Sequence, residues 1–306
     1  MNKPWLADIS LTQDQAKVLI ETQFPELKPA DLKPFGEGWD NFAFLVNNTY
    51  LFRFPRREVA VPGLENETNL LPVIADKLPV IIPFPCFVGK PSETFPWLFA
   101  AYKLLPGDTA CELNLSDDQR TKLAEPLGLF LKKLHSINIE DVLKHGAKYD
   151  EMGRLDLSLR IPKLKAMLEK INHTGININI EPLLHFVTNL SSLRPPQTLH
   201  LVHGDLYIRH LILNKELKLT GIIDWGDIHL GDPALDISIA HSFLPKKAHP
   251  LFIKAYGFID PITWELAKFK AIYSLCSLIS YAQDVKDSNL LKEGLRGINF
   301  IFPSIQ

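Results

Sequence analysis

Two short segments late in the chain carry residue types suited to the transfer of a phosphoryl group. They are HGDLYIRH, residues 203–210, and IIDWGD, residues 222–227. Asp205 could accept a proton from an attacking hydroxyl, and His210 and Asp224 could hold Mg²⁺ against the phosphates of a nucleotide. These residue types and their spacing indicate a small-molecule kinase as the leading hypothesis.

Each of these three residues also has a structural interpretation. Asp205 lies between the apolar runs LHLV and LILN, which should anchor its loop at both ends, but Gly204 and Asp205 could also form a simple turn. His210 is an unusual ligand because Mg²⁺ prefers oxygen, so a hydrogen-bonded loop histidine is its alternative. Asp224 ends the apolar run LTGII, and its alternative is an aspartate that caps a strand.

The acids of GDPALD and the first histidines of the region favour structural roles. We expect Asp232 and Asp236 to cap the helix that starts near Pro233, and to brace the catalytic loop together with His203. His200 and His203 have a spacing that metal ligands use, but no third ligand follows at a zinc-type interval. A zinc site is therefore disfavoured.

An earlier segment, FGEGWDN, could lay backbone amides over nucleotide phosphates through Gly36 and Gly38. It precedes a predicted hairpin whose second strand carries Arg53, and Glu67 lies on the helix that follows. A basic strand residue held by a helix acid is the arrangement with which kinases bind phosphates. A simple turn at the glycines and a solvated Arg53 in the basic run RFPRR are the alternatives.

Length and hydrophobic pattern predict a fold with two lobes. A chain of 306 residues exceeds the size at which one hydrophobic core stops growing, so we expect a nucleotide-binding lobe at 1–105, a catalytic and substrate-binding lobe at 106–306, and a site between them. The first lobe reads as a small mixed α/β unit, and the second as mainly helical.

The predicted elements are named from periodicity and from turn residues. They are an opening helix at 11–23, a hairpin of FAFLV and YLFRF joined by Asn47 and Asn48, a helix at 65–78, strands at 81–88 and 97–105, a helix from the capping Ser116, helices at 161–171 and 182–193, short strands within 200–225, and helices after Pro233. Residues 172–180 are the best candidate for a variable surface loop.

Composition excludes several classes of function. The 33 basic and 35 acidic side chains nearly cancel, so no overall field would attract nucleic acid or an anionic membrane. The three cysteines are too few and too widely spaced for a disulfide framework. The N-terminal segment does not resemble a secretory signal, and no stretch approaches the length of a membrane span. We expect a cytoplasmic monomer.

In combination, the motifs resemble those of a known family. GEGWDN, YLFRFPRR, Glu67, LGLFLKKLH, HGDLYIRH and IIDWGDIHLGDPALD, across about residues 34 to 245, are similar to the motifs of the aminoglycoside phosphotransferase family and its macrolide phosphotransferase relatives. The resemblance implies an α+β, protein-kinase-like bilobal fold that transfers the γ-phosphoryl group of ATP or GTP to a hydroxyl of a small molecule. It also implies that Asp205 is the base and Asp224 a metal ligand.

Two positions depart from the common pattern of that family. Many members have Asn where this chain has His210, and a histidine there resembles the macrolide enzymes and the branch that modifies the 2''-hydroxyl of aminoglycosides. The strand lysine of typical kinases is replaced by Arg53, which keeps the charge but changes the reach and the hydrogen-bond geometry. Backbone groups from Tyr102 to Leu104, in FAAYKLLPGD, should face the purine edge, and the sequence does not choose between ATP and GTP.

Four functions remain open at this point. The leading one is an aminoglycoside kinase, and the others are a macrolide phosphotransferase, a metabolic small-molecule kinase, and a nucleotide-binding pseudokinase. A cationic acceptor needs acids, which Asp227, Asp284 and Asp287 could supply, whereas a macrolide needs apolar area. Apolar residues that could supply it are Phe243, Tyr273, Leu275, Leu278 and Tyr281.

Overall fold

The computed structural model describes residues 7–37, 40–176, 178–190 and 199–303. The α-helices of these residues are α1 (Gln13–Gln23), α2 (Val61–Ile74), α3 (Asp117–Lys122), α4 (Ala124–His135), α5 (Ile139–Leu143), α6 (Leu157–Asn172), α7 (Glu181–Leu190), α8 (Ala234–Ser242), α9 (His249–Tyr256), α10 (Pro261–Asp284) and α11 (Ser288–Ile301). The strands are β1 (Leu32–Glu37), β2 (Asn41–Val46), β3 (Tyr50–Pro55), β4 (Pro85–Gly89), β5 (Phe99–Lys103), β6 (Asp108–Thr109), β7 (His200–Val202), β8 (Leu211–Leu213), β9 (Leu219–Ile222) and β10 (His229–Gly231).

The N-terminal part is an antiparallel sheet in the order β1-β2-β3-β5-β4. Strands β2 and β3 form the predicted hairpin, with Val46 opposite Tyr50. The loop residues Asn47 and Asn48 both have positive φ, at 52° and 50°, as the two central residues of a type I′ turn require, and the N–H of Thr49 closes this turn on the carbonyl of Val46 at 3.0 Å. The turn and the hairpin predicted from the sequence are both confirmed.

One face of this sheet is covered by α1. The helix begins after Thr12, whose side chain accepts from the N–H of Gln15 while the Gln15 side chain accepts from the N–H of Thr12. The buried residues of the cluster beneath α1 are mostly aromatic and aliphatic. They are Leu11, Ala16, Leu19, Ile20, Leu27, Ala30, Leu32, Phe42, Phe44, Val46, Phe52, Phe54, Phe95, Phe99 and Ala101.

The segment between β3 and β5 differs from the prediction in two places. Helix α2 begins at Val61 rather than near residue 65, because Pro62 fits the first turn of a helix, and it continues through Pro72. The predicted strand at 81–88 is wrong in its first half: Ile81 forms only an isolated bridge with Gly221, and the strand proper is β4. Proline removes ladder N–H groups in this stretch, which explains the shortened strand.

The remainder of the chain is mainly helical. A capping box between Ser116 and Gln119 starts α3, and α4 follows directly. The predicted helices near residues 161–171 and 182–193 correspond to α6 and α7. Helix α10 packs between α8, α11 and α6, and two small antiparallel sheets, β10-β7 and β6-β8-β9, lie beside this bundle.

The architecture is α+β, as predicted. The larger hydrophobic cluster includes buried residues of the helical part and also Leu64, Leu70 and Ala100 from α2 and β5, so the two parts share packing. The division at residue 105 stays a prediction. In the described part of the chain, no helix combines the length and apolar character that crossing a membrane requires.

Candidate active site

Asp205 lies in the loop between β7 and the 3-10 turn at residues 208–210. The preceding Gly204 has φ +86°, and a Cβ there would lie 2.4 Å from the carbonyl oxygen of Asp227. Only glycine fits this left-handed and crowded position without strain. The sequence HGD therefore produces a sharp turn that leaves the side chain of Asp205 partly exposed.

Two imidazole rings fix the backbone of Asp205. Its N–H donates to Nδ1 of His203 at 3.4 Å, while Nε2–H of His203 donates to the carbonyl of Ile223 at 3.0 Å. On the other side, Nδ1–H of His210 donates to the carbonyl oxygen of Asp205 at 2.8 Å. Because both backbone groups of Asp205 are hydrogen-bonded, the backbone from which its carboxylate extends is held in place. A fixed position matters in reactions whose rate depends on the alignment of the reacting groups.

Asp236 holds the same loop from below. The buried carboxylate of this α8 residue accepts from the N–H of Gly204 at 2.9 Å and from the N–H of His203 at 2.8 Å. Burial opposes its ionisation, but these donors and the side chain of His135 hold the pKa of Asp236 below its ordinary value. The predicted bracing roles of Asp236 and His203 are confirmed, and Asp232 caps α8 through the N–H of Ala234.

Asp224 lies at the end of β9 with φ +63°, an uncommon backbone for an aspartate. Its Oδ2 lies 3.2 Å from Nε2 of His210, and its Oδ1 accepts from Nη2 of Arg53 at 3.2 Å. Partial removal from water opposes the charge of Asp224, but the His210 hydrogen bond and the charges of His210 and Arg53 hold the pKa of Asp224 well below its usual range. Its side chain is 50% exposed.

Arg53 and Glu67 form the ion pair predicted from the sequence. Nη1 of Arg53, on β3, donates to both carboxylate oxygens of Glu67, on α2, at 3.0 and 3.1 Å. Glu67 is completely buried. Burial raises the pKa of Glu67, and the Arg53 charge offsets only part of that rise. Burial opposes the charge of Arg53, but the charges of Glu67 and Asp224 outweigh this effect and raise the pKa of Arg53.

Helix α2 also contacts the loop that carries Asp224. Nδ2 of the buried Asn66 donates to the carbonyl of Ile228 at 2.5 Å. A Cβ at Gly63 would lie 2.9 Å from the carbonyl oxygen of Gly226, so the helix and the loop are in close backbone contact. The helix that supplies Glu67 and the loop that supplies Asp224 are therefore packed as one unit.

The predicted nucleotide contacts of the sheet are only partly described. Gly36 lies in β1 opposite Ala43, at a register shift, whereas Gly38 lies outside the described residues. Tyr102 is buried beside Glu67, and burial and the Glu67 charge raise the pKa of Tyr102 well above its ordinary value. The N–H of Leu104 donates to the carbonyl of Thr49 at 3.0 Å, so this N–H already has a protein partner.

His210 and Asp224 fit a hard divalent cation whose remaining ligands are phosphate oxygens and water. Because Nδ1–H of His210 donates to the carbonyl of Asp205, Nε2 is the ring nitrogen that faces Asp224, and it would offer its lone pair to a cation that displaces its proton. Among the residues that the structure describes, no cluster of three or more His, Cys, Asp and Glu side chains could hold a metal. Two protein ligands with remaining positions for phosphate oxygens and water suit Mg²⁺.

A zinc site at His200 and His203 receives no support from the geometry. Nδ1 of His200 donates to the carbonyl of His135 at 2.7 Å, and both ring nitrogens of His203 are engaged within the loop. Burial lowers the pKa of His203 below its ordinary value, which keeps the ring neutral in its bracing role.

Sequence reasoning missed Arg154, which joins two acids next to the catalytic loop. Nη1 of Arg154 donates to Asp150 at 2.7 Å, and Nη2 donates to Asp227. The side chain of Asp227 is 45% exposed. No local pattern marks this contact, because Arg154 and Asp227 are 73 residues apart and Arg154 lies in a stretch without a recognisable motif.

Comparisons with known proteins agree with this geometry. A model of the phosphotransferase enzyme family matches residues 31–268. An uncharacterized protein of Bacillus subtilis (strain 168), YcbJ, is 24% identical over 102 residues, which are 31% of this chain and 33% of that protein. The match thus spans about a third of that relative.

Solved structures with this fold include aminoglycoside and macrolide enzymes. The GDP complex of a wild-type aminoglycoside 2'-phosphotransferase-IIIa has a TM-score of 0.70 at 23% identity, covering 94% of this chain and 98% of that chain. The GDP and kanamycin complex of an APH(2'') enzyme has a TM-score of 0.66 at 24% identity, covering 93% and 97%. A macrolide 2'-phosphotransferase type I has a TM-score of 0.61 at 17% identity, covering 95% and 98%.

At these identities the structural likeness shows the fold, and the family model shows the family. The resemblance predicted from the motifs, the kinase-like fold, and the prediction of a phosphotransferase with an alcohol acceptor are confirmed. Since the family model spans most of the sequence and includes Asp205, Asp224 and Arg53, the chain belongs to the phosphotransferase enzyme family.

Proposed function

We propose that this protein transfers the γ-phosphoryl group of ATP or GTP to a hydroxyl of an antibiotic-type small molecule, namely an aminoglycoside. One observation carries the proposal: the single imidazole of His210 reaches from the carbonyl of Asp205, at 2.8 Å, to the carboxylate of Asp224, at 3.2 Å. One ring therefore links the backbone of the proposed base to the carboxylate of the proposed metal ligand, and Arg53 reaches the same carboxylate from the sheet.

The roles follow from this arrangement. Asp205 accepts the proton of the acceptor hydroxyl while the hydroxyl oxygen forms a bond to the γ-phosphorus. The bond between that phosphorus and the β,γ-bridging oxygen breaks, which releases the nucleoside diphosphate. Arg53, held by Glu67, positions the phosphates. A Mg²⁺ ion held by His210 and Asp224 would neutralise charge on the phosphate oxygens.

The purine contact is proposed for the segment from Tyr102 to Leu104. Because the N–H of Leu104 is bonded to Thr49, carbonyl oxygens of this segment are the groups we propose for the purine edge. A carbonyl accepts from the amino group of adenine and from N–H groups of guanine. Both nucleotides therefore remain in the proposal.

The exposed charges near the catalytic loop favour a cationic acceptor. Asp227 is partly exposed beside Gly204, and the group of Asp150, Arg154 and Asp227 has a net negative charge. Of the apolar residues considered for a macrolide, Phe243 and Leu275 are buried, whereas Tyr273, Leu278 and Tyr281 are partly exposed. Of the other two acids considered from the sequence, Asp287 caps α11 and Asp284 ends α10 at an exposed position.

The deciding experiment is an acceptor screen. Aminoglycosides, macrolides and simple amino alcohols are each incubated with ATP and with GTP in the presence of Mg²⁺, and phosphorylated product is measured by mass spectrometry. We expect product with at least one aminoglycoside, such as kanamycin. Product only with a macrolide or only with an amino alcohol would replace the aminoglycoside assignment, and nucleotide binding without any transfer would favour the pseudokinase.

The same assay tests the base. Asp205→Asn keeps the shape of the side chain but accepts no proton, so we expect kcat to fall by about 10²- to 10⁴-fold while KM for the nucleotide changes little. Asp118→Asn, a surface aspartate paired with Lys247, is the matched control and should keep wild-type kcat. Wild-type activity of Asp205→Asn would remove Asp205 from the catalytic assignment.

A further inference from the structure

His135 lies on the far side of Asp236 from the catalytic loop. It is the last residue of α4, and its side chain is only 3% exposed. Nε2 of His135 lies 3.1 Å from Oδ2 of Asp236, the same oxygen that accepts from the N–H of His203 at 2.8 Å. One carboxylate oxygen thus receives one donor from α4 and one from the catalytic loop.

The ring of His135 has one proton, and its position is determined by its neighbours. A carboxylate only accepts, so Nε2 of His135 carries the proton and donates to Asp236. Nδ1 then accepts from the hydroxyl of Tyr256, on α9, at 2.9 Å. Burial lowers the pKa of His135 despite the nearby Asp236, which agrees with a neutral ring. Tyr256 therefore selects the tautomer that donates to Asp236.

The loop that this carboxylate holds has little tolerance for movement. Asp236 accepts from the peptide N–H groups of His203 and Gly204, which immediately precede Asp205. Gly204 is in the left-handed region, in contact with the backbone of Asp227. If the carboxylate of Asp236 loses the donor from His135, it can rotate, and both peptide groups before Asp205 lose their fixed acceptors. A displacement of about 1 Å at a reacting group can cost on the order of 10²-fold in rate.

We propose that His135 is a positioning residue for Asp205. Together with Tyr256, it orients the carboxylate of Asp236 and, through that carboxylate, the two peptide groups ahead of the base. This rests on the proposed role of Asp205. It assigns a function to the final histidine of LGLFLKKLH, whose side chain is only 3% exposed.

Two substitutions at position 135 separate donation from packing. His135→Leu removes the donor, whereas His135→Gln keeps an N–H group that can reach Asp236. We expect His135→Leu to lower kcat by about 10- to 100-fold with KM for the nucleotide within about threefold of wild type, and His135→Gln to stay within about fivefold of wild-type kcat. Tyr256→Phe should lower kcat by about two- to fivefold, because the ring keeps its donor but loses the partner that fixes its tautomer.

His241→Phe is the matched control. His241 lies on α8, the same helix as Asp236, and it is 5% exposed. Its ring packs on Trp264 rather than on Asp236. Its replacement should change the urea midpoint and leave kcat within about twofold. A His135→Leu protein that is destabilised but has wild-type kcat would make His135 a structural residue only, and equal losses of kcat in the Leu and Gln variants would also overturn the proposal.

A second readout does not depend on the acceptor. Hydrogen exchange of the amides of residues 203–205 should become faster in His135→Leu than in wild type, and should be unchanged in His241→Phe. Wild-type exchange in His135→Leu would contradict the positioning role whatever the substrate is. Activity in Asp205→Asn tests the proposed function separately: full activity there removes the base, whereas an inactive Asp205→Asn beside an unaffected His135→Leu overturns only the role of His135.

Discussion

Arg53 contacts two carboxylates that come from different parts of the fold. Nη1 bonds to Glu67 and Nη2 to Asp224, and the second partner is 171 residues away in sequence. A planar guanidinium presents several N–H donors in a fixed fork and can bond to two acceptors at once, whereas a lysine ammonium is a compact point charge and does so less well. The Oδ1 of the proposed metal ligand therefore has a protein partner before any nucleotide is bound.

This geometry predicts that Arg53→Lys strengthens the binding of a divalent cation in the absence of nucleotide. Loss of the bridge frees Oδ1 of Asp224, so we expect the Kd for Mn²⁺, measured by electron paramagnetic resonance, to fall by about three- to tenfold. Arg57→Lys, at another arginine paired with an acid, Asp40, is the control. An unchanged or weaker Mn²⁺ affinity in Arg53→Lys alone would contradict the bridging role.

At this scale, the sequence predicts residues whose roles depend on local motifs. Asp205, His210 and Asp224 each follow a recognisable pattern, and in the structure His210 contacts the backbone carbonyl of Asp205 and the carboxylate of Asp224. The contacts of Arg154 and His135 could not be predicted, because each joins distant segments through a single side chain. Pairings of that kind depend on the complete fold and leave no periodicity in the chain.

Helix α2 is the element that joins the sheet to the loop of Asp224, the proposed metal ligand. Its residue Glu67 holds Arg53, while Asn66 and Gly63 contact the backbone of residues 226 and 228. Two neighbouring residues of one helix thus position both Arg53, which we propose binds the phosphates, and the loop of Asp224. A displacement of α2 would alter both sides of the site together.

We predict that Asn66→Leu loosens α2 and the loop at 224–228 at the same time. The buried carbonyl of Ile228 would lose its donor, which costs about 1–3 kcal/mol. Hydrogen exchange should accelerate in both segments, and KM for the nucleotide should rise by about three- to tenfold. Glu65→Ala, at an exposed position of the same helix, should change neither quantity. Faster exchange in α2 alone would show that the two segments are not coupled through Asn66.

Elements with strong local signals agree with the sequence, whereas the start of one predicted strand does not. The Asn47–Asn48 hairpin and the capped starts of α1 and α3 depend on turn and capping chemistry within a few residues. The strand predicted from residue 81 failed because apolar character alone does not provide a partner strand. Ile81 pairs instead with Gly221, at the edge of another sheet.

At the scale of the whole molecule, buried histidines make stability depend on pH. His241 is 5% exposed, and burial, together with the charges of His249 and Lys268, lowers the pKa of His241 to about 3. Its ordinary value of 6.5 applies in the unfolded chain. Because the unfolded state binds this proton more tightly, the contribution of His241 to stability is complete above pH 6.5 and is lost progressively as the pH falls toward 3.

We therefore predict that acid destabilises the wild-type protein more than it destabilises His241→Phe. Between about pH 7.5 and about pH 5.5, a histidine with these two pKa values removes roughly 1 kcal/mol from the free energy of unfolding. Urea unfolding at both pH values measures the difference, since the phenylalanine ring fills the same space and does not titrate. His145→Phe, an exposed histidine at the end of α5, is the control and should keep the wild-type pH dependence. If His241→Phe loses as much stability on acidification as the wild type, protonation of His241 does not oppose folding in this range. The pH dependence must then come from other buried histidines, such as His135, His203 and His229, whose pKa values burial also lowers.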